Sequence, residues 1–186
     1  MTIEQLIPGF RPETTLEREL ASDPALLCGL AWGRPRPGHP EGRVGAHVGD
    51  ILAAITEPAG RRRDELRFLA LVHDALKHRV RPDAACSLDN DQHGVLARRF
   101  AERYTADPRI LRTLELHDEP YRIWRTHPHD GRRTLEALLT RIPDLALFLR
   151  FVELDGSTKG KDPRPLRWLH GVTGAPAAGP GLGLAA

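Results

Sequence analysis

Apolar residues in this chain recur mostly every three or four positions, the period of a helix with one buried face, and no run alternates as a half-buried strand would. In "TTLERELASDPALLCGL" (14–30) the spacing predicts one or two short helices, with Asp23-Pro24 as an internal restart and Pro24 suited to a first helical turn. Val44 to Ile55 reads as an amphipathic helix closed near Pro58 and Gly60. "RRRDELRFLALVHDALKHR" (61–79) reads as one strong helix, apolar nearly all round in its middle and therefore central and buried. Helical spacing returns in "QHGVLARRFAERY" (92–104) through Val95, Leu96, Phe100 and Tyr104. In "DPRILRTLELHDEPYRIWR" (107–125) an Asp-Pro opening starts a helix that should reach at least His117. "RRTLEALLTRI" (132–142) and "PDLALFLRFVELD" (143–155) predict two more, the second entered through Pro143.

The stretches between these runs are rich in Pro, Gly and small polar residues. "AWGRPRPGHPEG" (31–42) predicts a rigid loop, "RPDAACSLDND" (81–91) a loop and "THPHDG" (126–131) a turn. "TGAPAAGPGLGLAA" (173–186) lacks the bulk to build a core and predicts a disordered tail. The expectation is an all-α bundle: residues 1–37 a short N-terminal helical extension and Pro-rich loop, 38–172 the main domain, 173–186 the tail.

Composition narrows the classes without changing that picture. The 186 residues suit one domain with a real core, and 40% hydrophobic with 28% charged residues describes a folded chain. A formal charge of +2 argues against a dedicated nucleic-acid coat or a polybasic membrane binder. Cys28 and Cys86 have no metal-binding or redox spacing, which makes a reduced compartment the simpler assumption. No signal-like segment or membrane-length apolar run is present, so a cytoplasmic protein is expected.

The chemistry is concentrated in "LALVHDALKH" (69–78), where an imidazole and a carboxylate follow five apolar residues. Buried charge is costly unless it is paired, hydrogen-bonded or ligated. His47, His73, His93 and His117 all lie in predicted helices or at their ends, the placement needed by a metal site built inside a bundle. Lys77 follows His73 by one turn and Arg43 precedes His47 by one turn, so each cation shares a face with a candidate ligand. Cations beside a metal favour a phosphate over a cationic substrate. Asp155 ends an apolar helix and is followed at once by "GSTKGK", a loop able to approach a substrate closely. Plainer roles compete: His93 as an exposed helix opener, His117-Asp118 as a helix C-terminal cap, "RRRDE" (61–65) as a solvated start.

His47, the His73-Asp74 pair and the late Asp155 form an ordered set that resembles the HD-domain metal-dependent phosphohydrolase superfamily. "VHDALK" is similar to the family's HDxxK form. "GHPEGRVGAHV" (38–48) and "QHGVLARRFAERY" look like parts of the HD region attached to CCA-adding tRNA nucleotidyltransferases. The likeness spans roughly residues 38 to 160, without the nucleotidyltransferase module, synthetase elements or Gly-Tyr-Pro signature of other relatives. It implies an HD-type bundle in which His47, His73, Asp74 and Asp155 ligate a divalent ion (Mn, Fe, Co, Ni, Zn or Mg). His93 and His117 are then possible ligands of a second. It also implies hydrolysis of a nucleotide or related small phosphate ester by a metal-activated water, with Asp74 and Lys77 catalytic and Lys77 and Arg43 contacting substrate. A di-iron oxygenase and a non-catalytic metal- or nucleotide-binding module remain as alternatives. "PYRIWRTHPHDG" (120–131) is the stretch best suited to further substrate contacts.

Overall fold

The computed structural model of the chain describes residues 1–35, 40, 42–80, 92–127 and 129–174. The predicted loop 81–91 with Cys86, residues 36–39 and 41 of the Pro-rich loop, His39 among them, and tail residues 175–186 lie outside the described residues. The architecture is all-helical, with no strand among the described residues. In chain order the helices are α1 (Ile3–Leu6), α2 (Thr15–Leu20), α3 (Pro24–Ala31), α4 (Val44–Ala54), α5 (Arg61–Val72), α6 (His93–Ala101), α7 (Pro108–Leu116), α8 (Glu119–Thr126), α9 (Gly131–Leu139), α10 (Leu145–Gly156) and α11 (Arg164–Thr173). Among the described residues, no helix is long and apolar enough to cross a membrane.

Local chemistry explains most of the boundaries. Asp23 and Asp107 each precede a proline, and their carboxylates accept from the first free N–H groups of α3 and α7. The last of the apolar helices starts later than its pattern suggested: Asp144, not Pro143, caps α10 by accepting from Leu147 N. Two helices escaped the sequence reading. α1 has only four residues, and α11 is an amphipathic helix of ten residues beyond Asp155 that buries little besides Leu169.

The packing has two parts that meet at α10. One core joins α1, α3, α4, α5, α6 and α7 to Leu147, Phe151 and Leu154 of α10. The other joins α8, α9 and α11 to Phe148 and Val152 on its other side. Ile3, Leu6, Ile7, Phe10, Leu20, Leu26 and Leu30 belong to the first core, so the N-terminal helices share it with α4 and α5. A buried pair reinforces the joint: Arg67 of α5 donates from Nε and Nη2 to the carboxylate of Glu17 in α2 at 2.7 and 2.8 Å.

Asp23 ties two segments together. Besides capping α3, it accepts from Tyr104 Oη at 2.7 Å and Arg103 Nη2 at 2.8 Å, just beyond α6. Burial pushes its carboxyl up, but Tyr104, the N–H groups of Leu26 and Ala25, and Arg103 outweigh that and hold it below its usual value. Asp23→Ala should cost about 1–2 kcal/mol in urea unfolding at neutral pH. A folded-state value below the unfolded one means the contribution is complete above the ordinary 3.8 and lost as pH falls through the folded-state value. The gap between wild type and variant should therefore close as the medium is acidified below pH ~4.

Candidate metal centre

The His-Asp pair does not sit within a helix, contrary to the single run predicted over 61–79. α5 ends at Val72, residues 73–76 form a turn, and a 3-10 segment follows at Lys77–Arg79. The imidazole helps to end the helix. His73 Nδ1 lies 3.0 Å from Ala70 O, the carbonyl that the next N–H would use in a continuing helix. His117 repeats the arrangement at the end of α7, with Nδ1 2.8 Å from Leu114 O. A carbonyl can only accept, so each Nδ1 carries the proton and each Nε2 points inward.

Five elements bring the ligand-type atoms together: α4, the turn after α5, α6, the end of α7 and α10. His47 lies on the apolar stripe of α4 between Val44, Val48 and Ile51, and its Nε2 is 2.9 Å from Asp155 Oδ1. His73 Nε2 is 3.8 Å from the same oxygen. Phe151, one turn before Asp155 on α10, is fully buried and sets its ring edgewise to His73 at 5.3 Å between centroids. Asp74 turns its two oxygens in different directions. Oδ2 lies 3.5 Å from His73 Nε2, whereas Oδ1 lies 3.7 Å from His93 Nε2 and 3.8 Å from His117 Nε2.

Two groups result that could hold a metal ion, His47–His73–Asp155 and Asp74–His93–His117, the ligand atoms of each lying within 4.8 Å of one another. The sequence-derived set of His47, His73, Asp74 and Asp155 thus converges, and His93 and His117 join it. No family model, curated protein or solved structure matches the chain. What the centre can do must therefore be read from its own atoms.

Those atoms suit a cation. His73 Nε2 and Asp74 Oδ1 are buried and have no hydrogen-bond partner, a state that protein interiors rarely tolerate. His93 Nε2 and His117 Nε2 stand 3.3 Å apart, where two bare lone pairs would repel unless a proton or other cation lay between them. Burial pushes the His73 and His93 imidazoles down to about 3, which keeps them neutral and able to donate lone pairs. Burial opposes charge on His117 as well, but the facing Asp74 carboxylate outweighs it and raises that value. For Asp74 and Asp155 burial works toward neutrality. His73 and Lys77 outweigh it at Asp74, and Lys161 and His47 at Asp155, so both stay well below the usual carboxylate range.

A cavity of about 350 Å3 opens beside the centre, within the ~300–1,000 Å3 of small-molecule sites. Lys77, His117, Asp118, Asp155, Lys161 and Asp162 form its polar wall, and Tyr121, Val152, Leu166 and Leu169 much of its apolar side. Lys77 Nζ donates to Asp74 Oδ2 at 2.6 Å, so it reaches both the centre and the cavity. Arg43 does not: it is exposed at the N-cap of α4 and absent from the cavity wall. Pro120 and Tyr121 bring the start of "PYRIWR" into the cavity wall; Trp124 packs against Tyr121 and under Arg164. Lys161, which donates to Asp155 Oδ1 at 2.6 Å, was missed because a lysine in a polar loop has no periodicity to mark it; the "GSTKGK" loop itself was the only signal.

Proposed function

We propose that this chain is an HD-type metal-dependent phosphohydrolase acting on a small, nucleotide-like phosphate ester. One observation carries the reading: Asp74 stands between two imidazole groups with an oxygen toward each, so that its carboxylate could serve a cation on either side. His47, His73 and Asp155 would hold one ion and His93 and His117 the other, with Asp74 shared. Bound divalent ions supply Lewis acidity and bring the pKa of a coordinated water to about 7. Mixed imidazole and carboxylate donors suit Mn²⁺, Fe²⁺, Co²⁺, Ni²⁺ or Zn²⁺ better than Ca²⁺.

The chain's own residues do the rest. Lys77 presents an ammonium at the cavity wall, where it neutralises charge on phosphoryl oxygens, the main requirement in phosphoryl transfer. Tyr121, Leu166 and Leu169 offer a flat, apolar bed for the organic part of the ester. The Nδ1 protons of His73 and His117, held by Ala70 O and Leu114 O, fix both rings with Nε2 facing inward.

Protein purified without added metal should carry about two divalent ions per chain on elemental analysis. Loaded with its best ion, it should release phosphate from at least one member of a nucleotide and sugar-phosphate panel. A metal-free protein that gains no phosphatase activity with any of these ions would end the proposal. The shared Asp74 also suits a di-iron oxygenase, and steady oxygen consumption by Fe²⁺-loaded protein without phosphate release would select that chemistry instead.

A further inference from the structure

We infer that Lys161 is a substrate-anion residue held in reserve on Asp155, and that with Lys77 it tunes the site to phosphomonoesters rather than diesters. The inference rests on the phosphate-ester reading above and adds the class of ester and the residue that selects it.

The loop that carries Lys161 is shaped to return it to the end of α10. Thr158 Oγ1 donates to Asp155 O at 3.0 Å, and Lys161 N donates to Thr158 O at 3.3 Å. Between them Gly160 has φ 87°, a conformation that favours glycine, and a Cβ there would meet Pro40 Cδ at 2.7 Å. Lys161 Nζ then reaches Asp155 Oδ1, the oxygen also approached by His47 Nε2 at 2.9 Å. The neighbouring Asp162 does not compensate Lys161, because its carboxylate is taken by Arg164 Nε at 2.8 and 3.0 Å.

One carboxylate oxygen cannot fully serve an ammonium and a metal ion together. In the metal-free protein Lys161 neutralises Asp155. Once Asp155 serves as a ligand, an ammonium only 20% exposed loses its counter-charge at the wall of the cavity. A partly buried cation in that position recruits an anion. Lys77 is in the same situation on the opposite half of the centre, at 2.6 Å from Asp74 Oδ2, and it lines the same cavity. Two ammonium groups facing one space match a terminal phosphate, which has three free oxygens and two negative charges near neutral pH. A diester has two free oxygens and one charge, and leaves one lysine without a partner. Metal loading and anion binding should therefore reinforce each other.

The test is calorimetric and needs no turnover. Inorganic phosphate should bind the Mn²⁺-loaded wild type roughly tenfold or more tighter than the metal-stripped protein, and phenyl phosphate should exceed diphenyl phosphate by a similar factor. Lys161→Met should weaken phosphate binding to the loaded protein by about tenfold while Mn²⁺ binds at least as tightly, and Lys161→Arg should restore most of the loss. Equal affinity for monoester and diester in the wild type would overturn the inference even if no variant folds. Unchanged phosphate affinity in a Lys161→Met protein that loads Mn²⁺ normally would overturn it too. Failure to hydrolyse any ester would count against the proposed reaction while leaving these binding results standing.

Discussion

Asp74→Asn should leave the helices in place, empty the centre of metal, and lower phosphate release by at least about a thousandfold. Asp74 faces four partners at once: Lys77 at 2.6 Å, His73 at 3.5 Å, His93 at 3.7 Å and His117 at 3.8 Å. Asparagine keeps the shape but removes the charge that draws cations, and it can put an N–H donor where Lys77 needs an acceptor. Elemental analysis of wild type and variant, purified side by side, reads the first effect, and a phosphate-release assay the second. Far-UV circular dichroism checks the fold. A variant that keeps its metal would show that Asp74 is not a ligand, and the shared-carboxylate centre would fall with it.

Gly29→Ala, which adds one methyl group and no charge, is expected to be the most damaging small substitution in the bundle. Gly29 on α3 faces the turn that carries the His-Asp pair. A Cβ built there overlaps the carbonyl oxygen of Ala75 and lies 2.5 Å from its carbon and 3.0 Å from its Cα. The obstacle is backbone, so no rotamer can relieve it: either α3 backs away from α5 or the 73–76 turn moves. The first opens the core around Leu26, Leu30 and Leu69, and the second misplaces Asp74. Overpacking of this kind costs about 3 kcal/mol, at the upper end of its usual range. The urea midpoint should fall at unchanged slope, and the Mn²⁺ affinity of the folded variant should fall with it. A variant of wild-type stability would mean that the contact yields easily, and α3 would no longer count as the support of the turn.

Most of the helical framework could be read from the chain, because apolar spacing and helix starts are local properties. Asp23-Pro24 and Asp107-Pro108 combine an acceptor for free N–H groups with a ring already at helical φ, and both open helices as expected. Helix ends were harder. The 61–79 run has nothing in its sequence to stop a helix at Val72; the stop involves the His73 ring on Ala70 O and the 3-10 turns that follow. α11 was hidden by its position beside a Pro- and Gly-rich end and by burying mainly one residue, Leu169.

The candidate site divides along the same line. Local sequence marked His73 and Asp74, because charge beside five apolar residues predicts burial, and both are buried. It also provided the residue types that ligate metal. Only the tertiary structure decided that Asp74 faces two imidazole groups, that His93 and His117 close to 3.3 Å, that Arg43 stays outside, and that Lys161 returns to Asp155. Periodicity reports which face of a helix is apolar. The distance between side chains on different helices depends on how those helices pack and where their loops turn, and neither is encoded in the spacing of residues along any one of them.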